Sequence, residues 1–455
     1  MNIKSLYIHT IGCQMNVYDS DRILSVLSRL NYGPAASVED ADVIIVNTCA
    51  IRAKAEQKVF SFLGRLDRLK KKKPDLIIGV GGCLAQQEGE KIVERAGFVD
   101  LVFGPHSIDR LPDMISLIIE QRCRVVNVEM QDGSEKLFYP GIPDKKIKAP
   151  GFVTIMQGCD NYCTYCVVPY VRGRETSRDP ENIIEEIKIL AGSGVQEVTL
   201  LGQNVNSYGK KQGLCSFSTL LSMVNEINGI SRIRFTTSHP KDLSQDLIDA
   251  FSSLEKVCHH IHLPVQSGSD QILKKMNRKY TRSLYLEKIE KLREACPDIA
   301  ISSDFIVGFP GESEADFEQT LSLITRVEYD SLFAFQYSDR PGTKASGFSD
   351  KVLESEKRRR LQLLLNLQES ITRRSNQAMV GSIQQVLSDG LSKMQNNENT
   401  VNDPVQWTGR TSGNKIVNFV SDVSKCPDKE DFSGKMIYVK IERAFSHSLQ
   451  GRVVS

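Results

Sequence analysis

Short apolar runs recur through the first 130 residues and alternate with amphipathic stretches. They lie at Leu6 to His9, Val43 to Val46, Leu76 to Val80 and Val99 to Phe103, followed by a helical pattern from about Ile108 to Glu120 and a last run around Arg124 to Val128. This is the rhythm of βαβ units, so residues 1–130 are expected to form a doubly wound parallel-sheet domain of α/β class. A turn-rich linker follows over 131–149, with Pro140, Gly141, Pro143 and Lys145-Lys146. A second alternation then begins, with runs at Phe152 to Met156, Val198 to Leu201, Ile233 to Thr236, Ile261 to Leu263, Ile301 to Val307 and Leu332 to Phe335. Helical patterns such as Glu181 to Ala191, Tyr285 to Ala295 and Glu314 to Thr325 separate them. Six β/α units predict a central partial (β/α)6 barrel over 150–375, open on one side, with its site in the loops that follow the strands. After 376 the texture changes to short β-like runs, Gly381 to Leu387, Val405 to Thr411, Lys415 to Phe419 and Lys435 to Ala444. These predict a small antiparallel β-barrel over 376–446.

Composition narrows the picture. A chain of 455 residues with 40% hydrophobic content is globular and large enough for about three cores. The net charge of +2 means that any nucleic-acid contact must come from local patches. The segment 376–445 carries eight Lys/Arg and eight Asp/Glu, so charge alone does not mark it as RNA-binding. Lys70 to Lys73 reads as a solvated helix end or an RNA patch. Lys357-Arg358-Arg359-Arg360 opens a helix whose leucines at 361, 364, 365 and 367 make an apolar face, with its arginines available to pack or to meet phosphates. Trp407 is a stacking platform or a core residue. No apolar signal core opens the chain and no run of about eighteen apolar residues occurs. A cytoplasmic protein without membrane contact is expected, its cysteines reduced and available to metal.

The eleven cysteines are scattered, but two groups stand out. Cys159, Cys163 and Cys166 pack three soft ligands into eight residues with no histidine beside them. A structural zinc site normally closes with four protein ligands, whereas a four-iron cluster can be held by three thiolates with one iron left open. A zinc knuckle completed from far away is the alternative. Cys13, Cys49 and Cys83 each follow an apolar run, and the carboxyl ends of parallel strands share one sheet edge. They are expected to converge there, the alternative being three buried hydrophobic cysteines. In the barrel, the polar residues after each strand read Gly202-Gln203-Asn204, His239-Pro240, Gln266-Ser267-Gly268, Gly308 to Glu312, and Tyr337.

The spacing Cys-x3-Cys-x2-Cys, with Tyr165 before the last cysteine, resembles the signature of the radical S-adenosylmethionine (SAM) enzymes. That resemblance implies a [4Fe-4S] cluster on Cys159, Cys163 and Cys166 whose open iron chelates SAM, with Tyr165 near the adenine. It implies cofactor roles for Gly202 and Gln203, where Gln203 keeps an acceptor but not the charge of the usual Gly-Glu. It extends to Asp304, Gly308 and Glu312 in the fifth-strand stretch that shapes the adenine pocket. The carboxyl-terminal segment resembles a TRAM domain, a small RNA-binding barrel.

All three parts, in this order, resemble the radical-SAM methylthiotransferases, and within them the tRNA-acting MiaB type. The finer match rests on Gly12-Cys13-Gln14-Met15-Asn16 with Asp19-Ser20, on Asn47 to Arg52 with Lys54-Ala55-Glu56, on Tyr337 to Thr343, and on Gly409-Arg410-Thr411 with Asn414 to Phe419. The branch that modifies an aspartate of a ribosomal protein usually reads Gly-Cys-Pro-Lys-Asn at the first cysteine, unlike this chain. The resemblance implies a second [4Fe-4S] cluster on Cys13, Cys49 and Cys83 that handles sulfur. It also implies reductive cleavage of SAM, hydrogen removal from C2 of N6-isopentenyladenosine at position 37 in the tRNA anticodon loop, and transfer of a methylthio group. The hard chemistry is borne by the cofactors, so no side chain is assigned a catalytic role. Implied partners are the tRNA, a reductant such as a flavodoxin or ferredoxin, and a sulfur donor. The competing readings are the ribosomal-protein enzyme and a non-catalytic iron-sulfur RNA-binding protein.

Overall fold

The computed structural model describes residues 4–49, 53–130, 150–392, 405–421 and 431–454; the expected linker at 131–149 and the motif residues 50–52 lie outside them. The amino-terminal part is a six-stranded sheet of β1 (Lys4–Ile11), β2 (Tyr32–Pro34), β3 (Val43–Thr48), β4 (Ile77–Gly82), β5 (Leu101–Phe103) and β6 (Val125–Asn127). Every pairing is parallel, in the order β2-β1-β3-β4-β5-β6. β3 and β4 are buried along their whole length because apolar clusters lie on both faces of the sheet. The order reverses between β1 and β3, which makes that crevice the topological switch point where open α/β sheets bind ligands. β2 escapes the sequence pattern because Tyr32-Gly33-Pro34 has no apolar run.

The central part holds six parallel strands in two half-sheets. One is β7 (Gly151–Thr154), β10 (Glu197–Leu201) and β11 (Arg232–Phe235), in the order β11-β10-β7; the other is β12 (His260–His262), β13 (Ala300–Val307) and β14 (Ser331–Gln336). A parallel bridge from Ile233 to Val257 joins the halves, and one apolar core runs behind both, so the six units curve into the expected partial barrel. The run expected as one strand over Phe152 to Met156 divides. Its end, β8 (Met156–Gln157), pairs antiparallel with β9 (Thr176–Ser177), and this small ladder brackets the cysteine loop.

A long helix, Glu354–Ala378, leads into a closed barrel of β15 (Ile383–Leu391), β16 (Gln406–Thr411), β17 (Ile416–Val420), β18 (Met436–Ala444) and β19 (Leu449–Val453). Two expectations are corrected here. Its fifth strand lies beyond residue 446, and it pairs with β17 in parallel, so the barrel is not wholly antiparallel. β19 was missed because Leu449-Gln450-Gly451-Arg452-Val453 is too polar and glycine-broken to read as a strand. Trp407 is core, packed edge-on against Phe432.

The barrel docks at the amino-terminal ends of the central strands. Arg232 donates to the carbonyls of Arg410 and Gln385, and Arg234 to those of Thr411 and Ser412, while Glu197 holds Arg234 from below. The cationic helix start is mostly spent on the fold. Lys357 bonds the Tyr337 carbonyl and Glu354, and Arg359 and Arg360 pair with Glu312, Glu314 and Glu356, while Arg358 is exposed and has no such partner among the described residues. Lys70 likewise pairs with Asp100 at the end of the helix Ala53–Lys72.

Candidate functional site

Cys13, Cys49 and Cys83 do come to one edge. Each stands just beyond β1, β3 or β4, and the first two flank the switch point. The approach is set by glycine and by buried amides. Gly82 has φ of 93°, and a Cβ there would collide with the Thr48 carbonyl oxygen, so only glycine lets Cys83 start its helix against the neighbouring strand. Asn16 donates to Asn47 Oδ1 and the Thr48 carbonyl, Asn47 donates back to the Asn16 carbonyl, and Thr48 Oγ1 reaches the Gly81 carbonyl at 2.6 Å. This buried network ties the three cysteine-bearing turns into one body.

Cys159, Cys163 and Cys166 occupy the loop between β8 and β9. Gly158, with φ of 78°, precedes the first as Gly82 precedes Cys83, and a Cβ on it would meet the Arg174 carbonyl. The segment after β12 clamps the loop. The Thr164 amide donates to the Met276 carbonyl, Asn277 donates to the carbonyls of Asn161 and Tyr162, and Arg278 Nη1 approaches Cys163 Sγ at 3.4 Å. Arg278 is buried and also donates to the Pro264 carbonyl and Tyr280.

A second buried arginine links the two triads. Arg172 lies six residues after Cys166 in the chain, yet its Nε donates to Cys83 Sγ at 3.1 Å and its Nη2 to Asp19 at 2.6 Å. Each triad therefore has one thiol faced by a buried guanidinium, which suits a sulfur ligand that becomes anionic. Cys13 is lowered to about 6, first by its hydrogen bond with Cys49 and then, against burial, by Arg172. Burial pushes Cys166 up to about 12, the adjacent thiols adding to it; metal binding must displace that proton.

The donor sets fit iron-sulfur clusters better than zinc. Both are purely thiol. Among the described residues, the one set of three ligand groups whose atoms all come within 4.8 Å is His259, Cys296 and Asp298, not either triad. A single zinc ion, with Zn–S of ~2.3 Å, would draw its thiolates to about 3.8 Å from one another.

Of the remaining sequence-predicted residues, Tyr165 and Gln203 stand in or against the loop of the second triad. Tyr165 and Ile306 both pack against the apolar cluster of Ile272, Met276, Phe309, Tyr337 and Ala345. Gly202 closely approaches Met156, and Gln203 Oε1 accepts the Gly158 amide at 2.6 Å, so Gln203 supports the cysteine loop itself. Asp304 sits on β13, 3.6 Å from His262. Glu312 is buried and accepts from the Gly308 amide and Arg360, so its carboxylate closes the turn from Gly308 to Glu312. The residues that sequence reasoning left without a role are Asn16, Asp19, Asn47, Arg172 and Arg278. For Asn47 and Arg172 the signal was a polar residue closing an apolar run; Asp19 lies inside a helix and Arg278 in a polar stretch, where the sequence offers none.

Comparison with known proteins agrees with this layout. The model of the radical SAM superfamily matches residues 153–324, and that of uncharacterized protein family UPF0004 matches residues 5–104. A tRNA-2-methylthio-N(6)-dimethylallyladenosine synthase of Desulfosudis oleivorans is 53% identical over 99% of this chain and 97% of its own length. Proteins of the same name from Syntrophus aciditrophicus and Geotalea uraniireducens are 51% and 49% identical, each over 99% of this chain and 95% and 99% of their own lengths. Among solved structures, the radical SAM methyltransferase TsrM of Kitasatospora setae, with cobalamin and a [4Fe-4S] cluster bound, superposes with a TM-score of 0.57 at 15% identity, covering 76% of this chain and 74% of its own. At that identity the likeness speaks to fold.

Proposed function

The chain belongs to the tRNA-2-methylthio-N(6)-dimethylallyladenosine synthases, a radical-SAM family, and from that membership we propose that it methylthiolates C2 of N6-isopentenyladenosine at position 37 of tRNA. Identity close to one half along the entire length carries this reading. The ribosomal-protein alternative has no support among these relatives.

Two [4Fe-4S] clusters are assigned, one to Cys159, Cys163 and Cys166 together with SAM, the other to Cys13, Cys49 and Cys83. When bound, these groups supply the radical, the sulfur and the methyl group that an unactivated aromatic C–H demands. The protein's part is to hold and to shield. Asn16, Asn47 and Thr48 fix the turns of the first site, and Asn277, Arg278 and Gln203 fix the loop of the second. Arg172 and Arg278 place positive charge beside sulfur, which favours anionic ligand sets in a buried setting. Tyr165, Gly202, Asp304 and Gly308 are assigned to the SAM pocket. A low-potential electron donor of flavodoxin or ferredoxin type and a sulfur donor complete the partners. The target adenosine is in a single-stranded loop, where unstacking a base is cheap enough to bring it to the open side of the barrel.

The reading is tested by anaerobic reconstitution followed by incubation with dithionite, SAM and prenylated tRNA. Formation of 5′-deoxyadenosine together with 2-methylthio nucleoside is expected; deoxyadenosine-free turnover, or none, counts against it.

A further inference from the structure

The inner surface of the central barrel is polar over most of its width. β10 and β11 bring Glu197, Thr199, Arg232 and Arg234 into line, and β12 and β13 bring His260, His262, Ser302 and Asp304. Hydrogen bonds between Ser302 and both His260 and His262, and the Glu197–Arg234 pair, join these side chains to one another. β14, the strand at the open edge, is different. Its burial alternates along Ser331–Gln336. Leu332 and Ala334 pack into the main core behind the sheet, as do Phe305 and Val307 of β13. The period of two therefore turns Phe333 and Phe335 to the opposite, inner face. Parallel register sets Phe333 beside Asp304 and Phe335 beside Ile306, and Ile306 packs against the same apolar cluster as Tyr165, the neighbour of Cys166. Phe333 is 55% exposed and Phe335 38% exposed, although both stand on a strand whose other face is core.

Large aromatic surface left in water within a polar cleft is costly unless a ligand covers it. Resting on the reading above, we propose that Phe333 and Phe335 form the wall that receives the dimethylallyl group of the substrate adenosine. They would thereby make the enzyme select prenylated over unprenylated tRNA. The occupant follows from chemistry. The base edge and ribose can be met by the polar side of the cleft, whereas a branched five-carbon chain is the apolar part of this substrate and needs an apolar partner. The opposite edge strand cannot serve, because its Phe152 and the neighbouring Leu201 are already packed by Met15 and Tyr18 of the helix that follows β1.

The test compares binding of two anticodon stem-loop RNAs, with and without the prenyl group, to reconstituted wild type, Phe333→Ser and Phe333→Leu. Wild type should prefer the prenylated RNA by at least about tenfold, since each buried methylene-sized group adds several-fold. Phe333→Ser should lose most of that preference and Phe333→Leu should keep it. Retention of the preference by Phe333→Ser, its equal loss in Phe333→Leu, or no preference in wild type overturns the proposal. Because the readout is binding, a prenyl preference without methylthio product would contradict the functional reading and still support this one.

Discussion

Arg172 holds Cys83: its Nε lies 3.1 Å from the sulfur while its far side grips Asp19, so the cysteine loop of the central barrel carries the charge that faces a thiol of the amino-terminal sheet. Both Arg172 and Asp19 are buried. Removing the guanidinium would strand a carboxylate without compensation, a loss of about 3–5 kcal/mol. Arg172→Ala is therefore expected to lower the unfolding midpoint and to lose iron from the amino-terminal site. Denaturant titration beside iron analysis checks this; unchanged values in both would remove Arg172 from the role given to it.

The separation of the triads can be counted. Wild type should hold two four-iron clusters after anaerobic reconstitution, and the protein with Cys159, Cys163 and Cys166 all changed to Ala should hold one. Equal iron in the two proteins would defeat the assignment.

Independence of the two sites is a sharper demand. Cys49 follows β3 and shares a hydrogen bond with Cys13 of the same triad. Cys49→Ala should still cleave SAM to 5′-deoxyadenosine with dithionite yet form no methylthio product on prenylated tRNA. Normal methylthiolation by this variant would mean that sulfur arrives by another route.

The carboxyl-terminal barrel should matter to stability as well as to RNA. Deleting it after about residue 378 takes away four backbone carbonyls that Arg232 and Arg234 now use, and unmade bonds to buried charged donors cost about 1–3 kcal/mol each. The truncated protein is expected to bind tRNA more weakly and to unfold at a lower denaturant concentration, while still cleaving SAM. Unaltered stability would show that the docked loop contributes little.

What the sequence made legible was whatever repeats. β3, β4 and β13 are buried over long runs, and their apolar patterns located them, together with Cys49 and Cys83 after the first two. β2, β8, β9 and β19 were illegible because strands of two to five residues with Gly, Pro or polar positions owe their existence to partners distant in sequence. The cysteines could be found by spacing and by position after strands. The arginines behind them could not, because Arg172 and Cys83 are 89 residues apart and Arg278 and Cys163 are 115 apart, and only the packed fold brings them together. The cationic run at Lys357 stayed open between packing and phosphate contact for the same reason: its carboxylate partners Glu312 and Glu314 come from the preceding β/α unit.

The central claim meets its most direct test in nucleoside mass spectrometry of total tRNA from cells with and without this gene. Cells with it should contain 2-methylthio-N6-isopentenyladenosine, and its deletion should leave N6-isopentenyladenosine in its place, restored to the methylthio form by the intact gene but not by the Cys49→Ala gene. An unchanged level of the methylthio nucleoside after deletion would contradict the account.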